Sequence, residues 1–437
     1  MPPAVPYIIG NETAERFSFY GMRTILMVYM TQFLCMSEQE AAGYGHLFQG
    51  AVYLFPFFGA LLADLFFGKF RIIFWLSLVY CLGHFILALP GSLFGENPRI
   101  PLFWGLALIA IGAGGIKSCT SAIVGDQFTQ ENQHLLSRVF GWFYLAINVG
   151  ALVSSFLTPL LLENYGPEIA FGVPGVLMAL ATLILWLGRK KYVHIPPSPQ
   201  HFFHEAFSRE GGVALLKILT VFLFLIPFWA VYEQSSFRWV AQAEKMNPHV
   251  FAWFSPLAHY TLLPSQVQAV NPFLILTLVP LFSYVLYPAI DRFYKLTMVR
   301  KIAIGFFLTI PSAAFPYVFE ACIDRGITLN IGWQVLAYLL LTAAEVMISI
   351  TSLEFAYTQA PRSMKSLVMG VYLLMITCGN FFVAAINRQC ELSPTFLPGT
   401  QYYAMFLILA TLNAVGFLFV AAVYQEKTCL QPVSPKN

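Results

Sequence analysis

The sequence has 437 residues, 58% of them hydrophobic and only 10% charged, and a formal net charge of +3. A soluble domain carries roughly 25% charged residues, so this composition excludes an ordinary water-soluble enzyme and fits a chain whose exterior faces lipid. So small a net charge gives no ground for nucleic-acid binding.

With about 20 apolar residues per crossing, the chain has room for roughly a dozen spans and short loops. Apolar runs bounded by glycine, proline or charge predict helices near 10–34, 45–67, 70–90, 101–124, 138–162, 169–188, 214–243, 271–290, 300–320, 332–358, 365–387 and 401–424. The amino terminus lacks the basic stretch and apolar run of a cleavable signal, so the first span reads as permanent. The largest break is the basic, proline-bearing segment 189–213. It divides the chain into an N-terminal six-helix bundle, 1–188, a cytoplasmic linker, and a C-terminal six-helix bundle with a short tail, 214–437. The histidines of the linker lack the paired spacing of metal ligands, and no metal or cofactor site is expected. Seven cysteines include no CxxC pair; Cys322 and Cys390 fall in two predicted outer loops and form a candidate bridge. With the amino terminus inside, sixteen lysines and arginines lie on the inner side, four on the outer side and four within spans. This asymmetry places both termini in the cytoplasm.

The charges within spans carry the functional signal, because an ionised side chain at mid-membrane costs at least about 2.5–3.5 kcal/mol and so faces a partner or a cavity. The first predicted span holds Glu12, Glu15, Arg16 and Arg23 on roughly one helical face. The fourth holds Lys117 in GAGGIKSCTSAIVGDQF, where the carboxylates of Glu12 and Glu15 are the expected partners. Its glycines lack the GxxxxGK[ST] spacing and follow no strand, so a nucleotide site is not expected. The second half adds Trp229, Glu233 and Arg238 in PFWAVYEQSSFRW, and Glu345 midway along the tenth span. Glu354 lies roughly 13 Å further along the same axis, toward the cytoplasmic end, and cannot share a site with Glu345. A central glutamate opposite a central lysine and arginine makes a dipolar pocket suited to a zwitterion, with an ammonium at Glu345 and a carboxylate at Arg23 and Lys117. His46 is the side chain best suited to titrate near neutrality. The Asn11-Glu12-Thr13 sequon falls within a span and reads as a false glycosylation signal.

The segment GALLADLFFGKFR, with Gly59, Asp64, Gly68, Lys69 and Arg71, resembles the loop signature of the major facilitator superfamily, its charges reading as a latch between helices. NETAERFSFYGMR resembles the ExxERFxYY motif of the proton-coupled oligopeptide transporters, a branch of that superfamily. GAGGIKSCTSAIVGDQF, FYLAINVGALVSSFLTP, PFWAVYEQSSFRW and LEFAYTQAPRSMKS resemble later signatures of the family, in order and spacing, so the resemblance covers nearly the whole chain. It leans toward the animal-type members, without the large extracellular domain that those carry between spans nine and ten. Phe19 stands where the motif has its first tyrosine, and Ser118 where a proline usually follows the lysine.

The resemblance implies an all-α, twelve-helix major facilitator fold and proton-linked roles for Glu12, Glu15, Arg16 and Lys117. It implies peptide-carboxylate contacts at Arg23 and Lys117, the peptide amino group at Glu345, and the peptide backbone at Asn148 and Asn271. Tyr20, Tyr53, Tyr144, Trp229 and Ser349 would shape the side-chain pockets, His46 opposite Glu233 would form an outer proton-binding pair, and Glu354 would serve gating. The expectation is therefore a plasma-membrane symporter that imports di- and tripeptides with protons and works as a monomer. Competing readings are the same machine carrying another small anion or a modified peptide, or a peptide sensor that moves nothing. An intramembrane enzyme is disfavoured, since no Ser–His, paired-aspartate or HExxH arrangement appears.

Overall fold

The computed structural model describes residues 2–94, 97, 99–128, 135–194, 209–250, 261–359 and 365–424. Among these the secondary structure is helical, apart from one isolated bridge between Asn247 and Asn330. A chain immersed in lipid must satisfy its backbone groups internally, and helices do so span by span. Helix α1 (Val5–Val28) opens the chain and runs on into a π-helical turn, Tyr29–Phe33. Among the described residues, eleven further helices are long and apolar enough to cross a membrane. The first-half members are α2 (Glu38–Phe67), α3 (Lys69–Leu87), α4 (Arg99–Asp126), α5 (Leu136–Tyr165) and α6 (Pro167–Leu187). The second half supplies α7 (Leu215–Glu244), α8 (Pro264–Asp291), α9 (Met298–Ile323), α10 (Ile331–Phe355), α11 (Lys365–Leu392) and α12 (Thr400–Val423).

Every predicted span coincides with one of these twelve helices. The largest differences fall at two starts, where α2 begins at Glu38 and α8 at Pro264, each earlier than its apolar run. Both extensions are polar turns that hydropathy does not register. The Ser37 hydroxyl accepts the Glu40 amide at 3.1 Å, with Glu38 and Glu40 in the first turn of α2. Pro264 opens a 3-10 turn whose Gln266 side chain accepts the Leu263 amide at 3.0 Å. Both are helix-start devices. Between α5 and α6 the chain turns at Gly166, whose φ of +82° suits a residue without a Cβ. Residues 195–208 of the predicted linker lie outside the described residues, as do residues 360–364 of the LEFAYTQAPRSMKS signature.

Besides a π-helical turn at Phe282–Leu286 in α8, two helices are irregular at the charges singled out by the sequence. Helix α7 carries a 3-10 turn at Glu233–Ser236, and α10 carries a π-helical turn at Val346–Ile350, directly after Glu345. Irregular turns of this kind redirect side chains and are frequent at functional sites.

The apolar packing falls into two halves. One continuous buried cluster runs from Ala4 to Tyr192 and takes in only Phe237, Val240 and Ala241 from α7. The second half is held by three clusters, bridged by the partly buried Tyr232, Leu274 and Leu308. Within the first half, α2 and α4 meet so closely at Gly59 and Gly114 that a Cβ on Gly59 would lie 2.3 Å from the Gly114 carbonyl oxygen. Only glycine permits that approach.

Asn11 is 1% exposed and its amide donates to the Ala181 carbonyl at 2.8 Å, which fits a false sequon. The candidate bridge is a correction: Cys322 and Cys390 are both free. Cys390 lies inside α11, not in a loop, and packs in a second-half core cluster, while Cys322 ends α9 beside an apolar groove.

The Gly59–Gly114 contact predicts that Gly59→Ala destabilises the purified protein by about 1–3 kcal/mol through overpacking. Gly141→Ala, with nothing within 4 Å of its Cβ, leaves the melting temperature unchanged or slightly raised. A thermal melt of both variants in detergent checks the pair.

Candidate functional site between the two halves

The site begins on α1, where a spacing of three to four residues sets Glu12, Glu15, Arg16 and Arg23 on one stripe. All four are buried. The Arg16 Nε lies 2.8 Å from Glu12 Oε1 and 2.8 Å from Glu15 Oε2. One guanidinium thus holds two carboxylates, which explains how an acidic pair survives away from water. Glu15 Oε1 and Glu12 Oε2 have no hydrogen-bond partner among the described residues.

Lys117 of α4 departs from expectation. Instead of pairing with Glu12 or Glu15, which Arg16 takes, its Nζ stands 4.0 Å from the centre of the Phe19 ring and 4.6 Å from that of Tyr53. Ring faces stabilise a cation by roughly 0.5–2 kcal/mol without neutralising it. Phe19, the residue that replaces a tyrosine of the motif, is therefore the floor under this ammonium. No carboxylate lies within 4 Å of Lys117 among the described residues.

Two turns along α1 from Arg16, Arg23 crosses to the other half. Its NH2 group lies 2.5 Å from Glu233 Oε2 of α7 and also donates to Ser236 Oγ. Gln49 of α2 donates to the other Glu233 oxygen at 3.4 Å. The sequence reading set His46 opposite Glu233, but Gln49, one turn further along α2, occupies that position. His46 is instead fully buried, with Nδ1 3.1 Å from Asn380 Oδ1 of α11 and its ring 4.8 Å from that of Phe237.

Across the site, Glu345 of α10 accepts from the Asn271 amide of α8 at 2.8 Å, and the same amide reaches Thr342 Oγ1 at 3.1 Å. Ser349, on the π-helical turn that follows, shares a hydrogen bond of 3.1 Å with the Tyr372 hydroxyl. Tyr20, Tyr53, Lys117, Asn271, Glu345 and Ser349 are only half-buried, so these polar groups remain reachable. Tyr144, 37% exposed, receives the Asn148 amide on its carbonyl at 2.9 Å. Trp229 is buried edge-on against Tyr232, its ring 5.1 Å away. Glu354 stands apart, in a groove with Tyr287, Asp291 and Lys301.

The two halves are tied by polar contacts that run from Arg23 outward to the α1–α2 turn. Beyond Arg23–Glu233 and His46–Asn380, Thr377 Oγ1 donates to the Gly50 carbonyl at 3.2 Å. Gln32 donates to Glu244 at 3.2 Å, and Lys245 pairs with Glu38 at 2.9 Å. Arg238 belongs to this outer layer, 3.6 Å from Glu38 and with its guanidinium 4.3 Å from the centre of the Tyr402 ring. The sequence reading passed over Gln49, Ser236, Thr342 and Asn380 because they are uncharged. Their signal was weaker but present, as neutral polar side chains at helical spacing from the charges.

The arrangement can hold two opposite charges at separate points, a cation-accepting carboxylate on α10 and a cation on α4, beside an ion pair that joins the halves. Among the described residues no group of three or more histidine, cysteine or acidic side chains could hold a metal ion.

A family model described as POT family matches residues 70–210 and 210–403. "Peptide transporter 3" of Caenorhabditis elegans is 36% identical over 367 residues, 74% of this chain and 51% of that protein. "Solute carrier family 15 member 2" of Rattus norvegicus is 37% identical over 367 residues, 74% of this chain and 49% of that protein. The chain thus spans about half the length of the curated relatives it matches. An auto-inhibited POT family peptide transporter of known structure is 33% identical, with a TM-score of 0.88 and 99% of both chains covered. The POT family transporter PepTSo is 35% identical, with a TM-score of 0.85 over 97% of this chain and 98% of that one. The motifs, the helical architecture and these matches agree: the chain belongs to the POT family of transporters, with the major facilitator fold.

Proposed function

We propose that this chain is a proton-coupled symporter that imports di- and tripeptides by alternating access around the site between its halves. The observation that carries the reading is the division of charge across that site. Lys117 has ring faces for neighbours, Glu345 is held by the neutral side chains of Asn271 and Tyr232, and Arg23 and Glu233 neutralise each other across the halves. A zwitterion bound between Glu345 and Lys117 supplies the counter-charge that each lacks. The relatives named as peptide transporters favour a peptide over another zwitterion.

Helix α1 counts as a twelfth crossing, its charged stripe turned to the site and its remaining faces apolar. Residues 1–188 and 214–437 act as the two moving bundles, joined by the 189–213 linker. The lysine and arginine asymmetry supports cytoplasmic termini, and the protein acts as a monomer in the plasma membrane.

Coupling follows from the ion pairs. A proton on Glu12 or Glu15 weakens the hold of Arg16, and a proton on Glu233 releases Arg23 from the second half. Arg23 is then free to join Lys117 at the peptide carboxylate, with the amino group at Glu345 and the backbone at Asn148 and Asn271. Tyr20, Tyr53, Tyr144, Trp229 and Ser349 bound the side-chain space. His46 stays with the outer layer through Asn380 and takes part in proton entry there. Glu354 acts in the cytoplasmic-side gate.

Labelled dialanine uptake into proteoliposomes tests the proposal. An inward proton gradient should drive accumulation, and replacing sodium by potassium should leave it unchanged; failure of the first or loss on the second overturns the coupling. In the same assay Glu15→Gln should abolish accumulation against a gradient while peptide counterflow persists, because an amide keeps the shape but carries no proton. Competition by blocked dipeptides checks the orientation of the ligand. Glu345→Ala should weaken peptides with a free amino group by tenfold or more and leave amino-blocked ones little changed. Lys117→Gln should do the same for the free carboxylate, each variant leaving a ligand charge unpaired at about 2–5 kcal/mol. Equal losses for both ligand sets in both variants would contradict the assigned orientation.

A further inference from the structure

The segment around the α2–α3 turn is used by nothing above. Its Lys69 does form the expected latch, with Nζ 2.7 Å from Asp126 Oδ2 at the end of α4. That pair leaves a surplus of cations. A cavity of about 530 Å³ opens beside it, lined by Phe67, Lys69, Arg71, Asp126, Arg189 and His194. The one carboxylate in this group is already engaged by Lys69.

Among the described residues, Arg189 is held in place without being neutralised. Its guanidinium lies 3.6 Å from the centre of the Trp186 ring, and its NH1 donates to the Trp186 carbonyl at 3.0 Å. His194 sits edge-on to Phe70, the rings 5.3 Å apart, and its Nε2 lies 3.2 Å from the Arg189 carbonyl. Arg71 is exposed, and no carboxylate lies within 4 Å of it among the described residues. The first turn of α3, which begins at Lys69 after Gly68 with φ +79°, brings its free amides to the same place.

The neighbourhood of the cavity is apolar and outward-facing. Phe66, Phe67, Trp75 and Leu187 are 63%, 53%, 64% and 53% exposed, and in a membrane-spanning chain they face acyl chains. Two arginines without counter-charges among the described residues, beside aromatic side chains at the lipid boundary, are the features that hold a phosphate bearing hydrocarbon tails.

We propose that this cavity binds the headgroup phosphate of an anionic phospholipid, with Arg71 and Arg189 as its principal contacts. The Lys69–Asp126 pair forms the wall. The lipid thereby bridges the α2–α3 turn and the residues that follow α6, and stabilises the first half at this end of the molecule.

The test titrates dioleoylphosphatidylglycerol into the detergent-purified full chain and reads the melting temperature. The lipid should raise it saturably, and dioleoylphosphatidylcholine should raise it far less. Arg71→Gln, an exposed position, should weaken the apparent affinity several-fold, and the Arg71→Gln, Arg189→Gln pair tenfold or more. Arg292→Gln, an exposed arginine in the second half, should leave it unchanged. Glycerol 1-phosphate should have little effect. The proposal is overturned by equal responses to the two lipids, by an unaltered affinity in Arg71→Gln, or by equal loss in Arg292→Gln. An equal response to glycerol 1-phosphate overturns the lipid assignment. Should the double variant not fold, the Arg71→Gln titration alone decides.

Discussion

The Arg23–Glu233 pair is the constraint around which the site is arranged. A charge removed from water is tolerable only when another charge or a set of dipoles replaces the solvent, and here the replacement comes from the opposite half of the protein. Gln49 and Ser236 complete the cluster by satisfying a remaining carboxylate oxygen and a further guanidinium proton. The contact therefore joins the halves only while both partners keep their charge. A hydrophobic seam of equal area would hold them together regardless of pH. Under the proposed proton coupling, the protonation state of Glu233 would set the strength of this closure.

Much of the architecture is legible in the sequence because lipid imposes a coarse rule. Each span must be apolar over about 20 residues, so its presence is visible without knowledge of its neighbours. Helix α1 shows both the strength and the edge of that rule. Its four charges lower its hydropathy enough to separate it from the other eleven helices, yet those charges announced the site. The helix starts at Ser37–Glu38 and Pro264 were less visible, because capping turns are polar and look like loop.

Contacts within the site were harder to read, for a physical reason. Periodicity shows which face a charge occupies but not which of several neighbours reaches it first. Arg16 lies one turn from Glu12 and adjacent to Glu15 on the same helix, so it takes both acids and leaves Lys117 to Phe19 and Tyr53. His46 and Gln49 differ by one turn on α2, and that turn decides which of them meets Glu233. The cysteine pairing failed because loops were placed by hydropathy, and α11 continues through Cys390.

The unequal division of the apolar core has a mechanical consequence. A single cluster extends through the first half, with Gly59 seated against Gly114. The second half has three clusters, and both mid-helix irregularities at the site, Glu233–Ser236 and Val346–Ile350, belong to it. The three clusters meet through the partly buried Tyr232, Leu274 and Leu308, while the two irregular turns interrupt the regular helical hydrogen-bond ladder. In the proposed transport cycle, bending would concentrate at these turns, in α7 and α10, the two helices that carry Glu233 and Glu345.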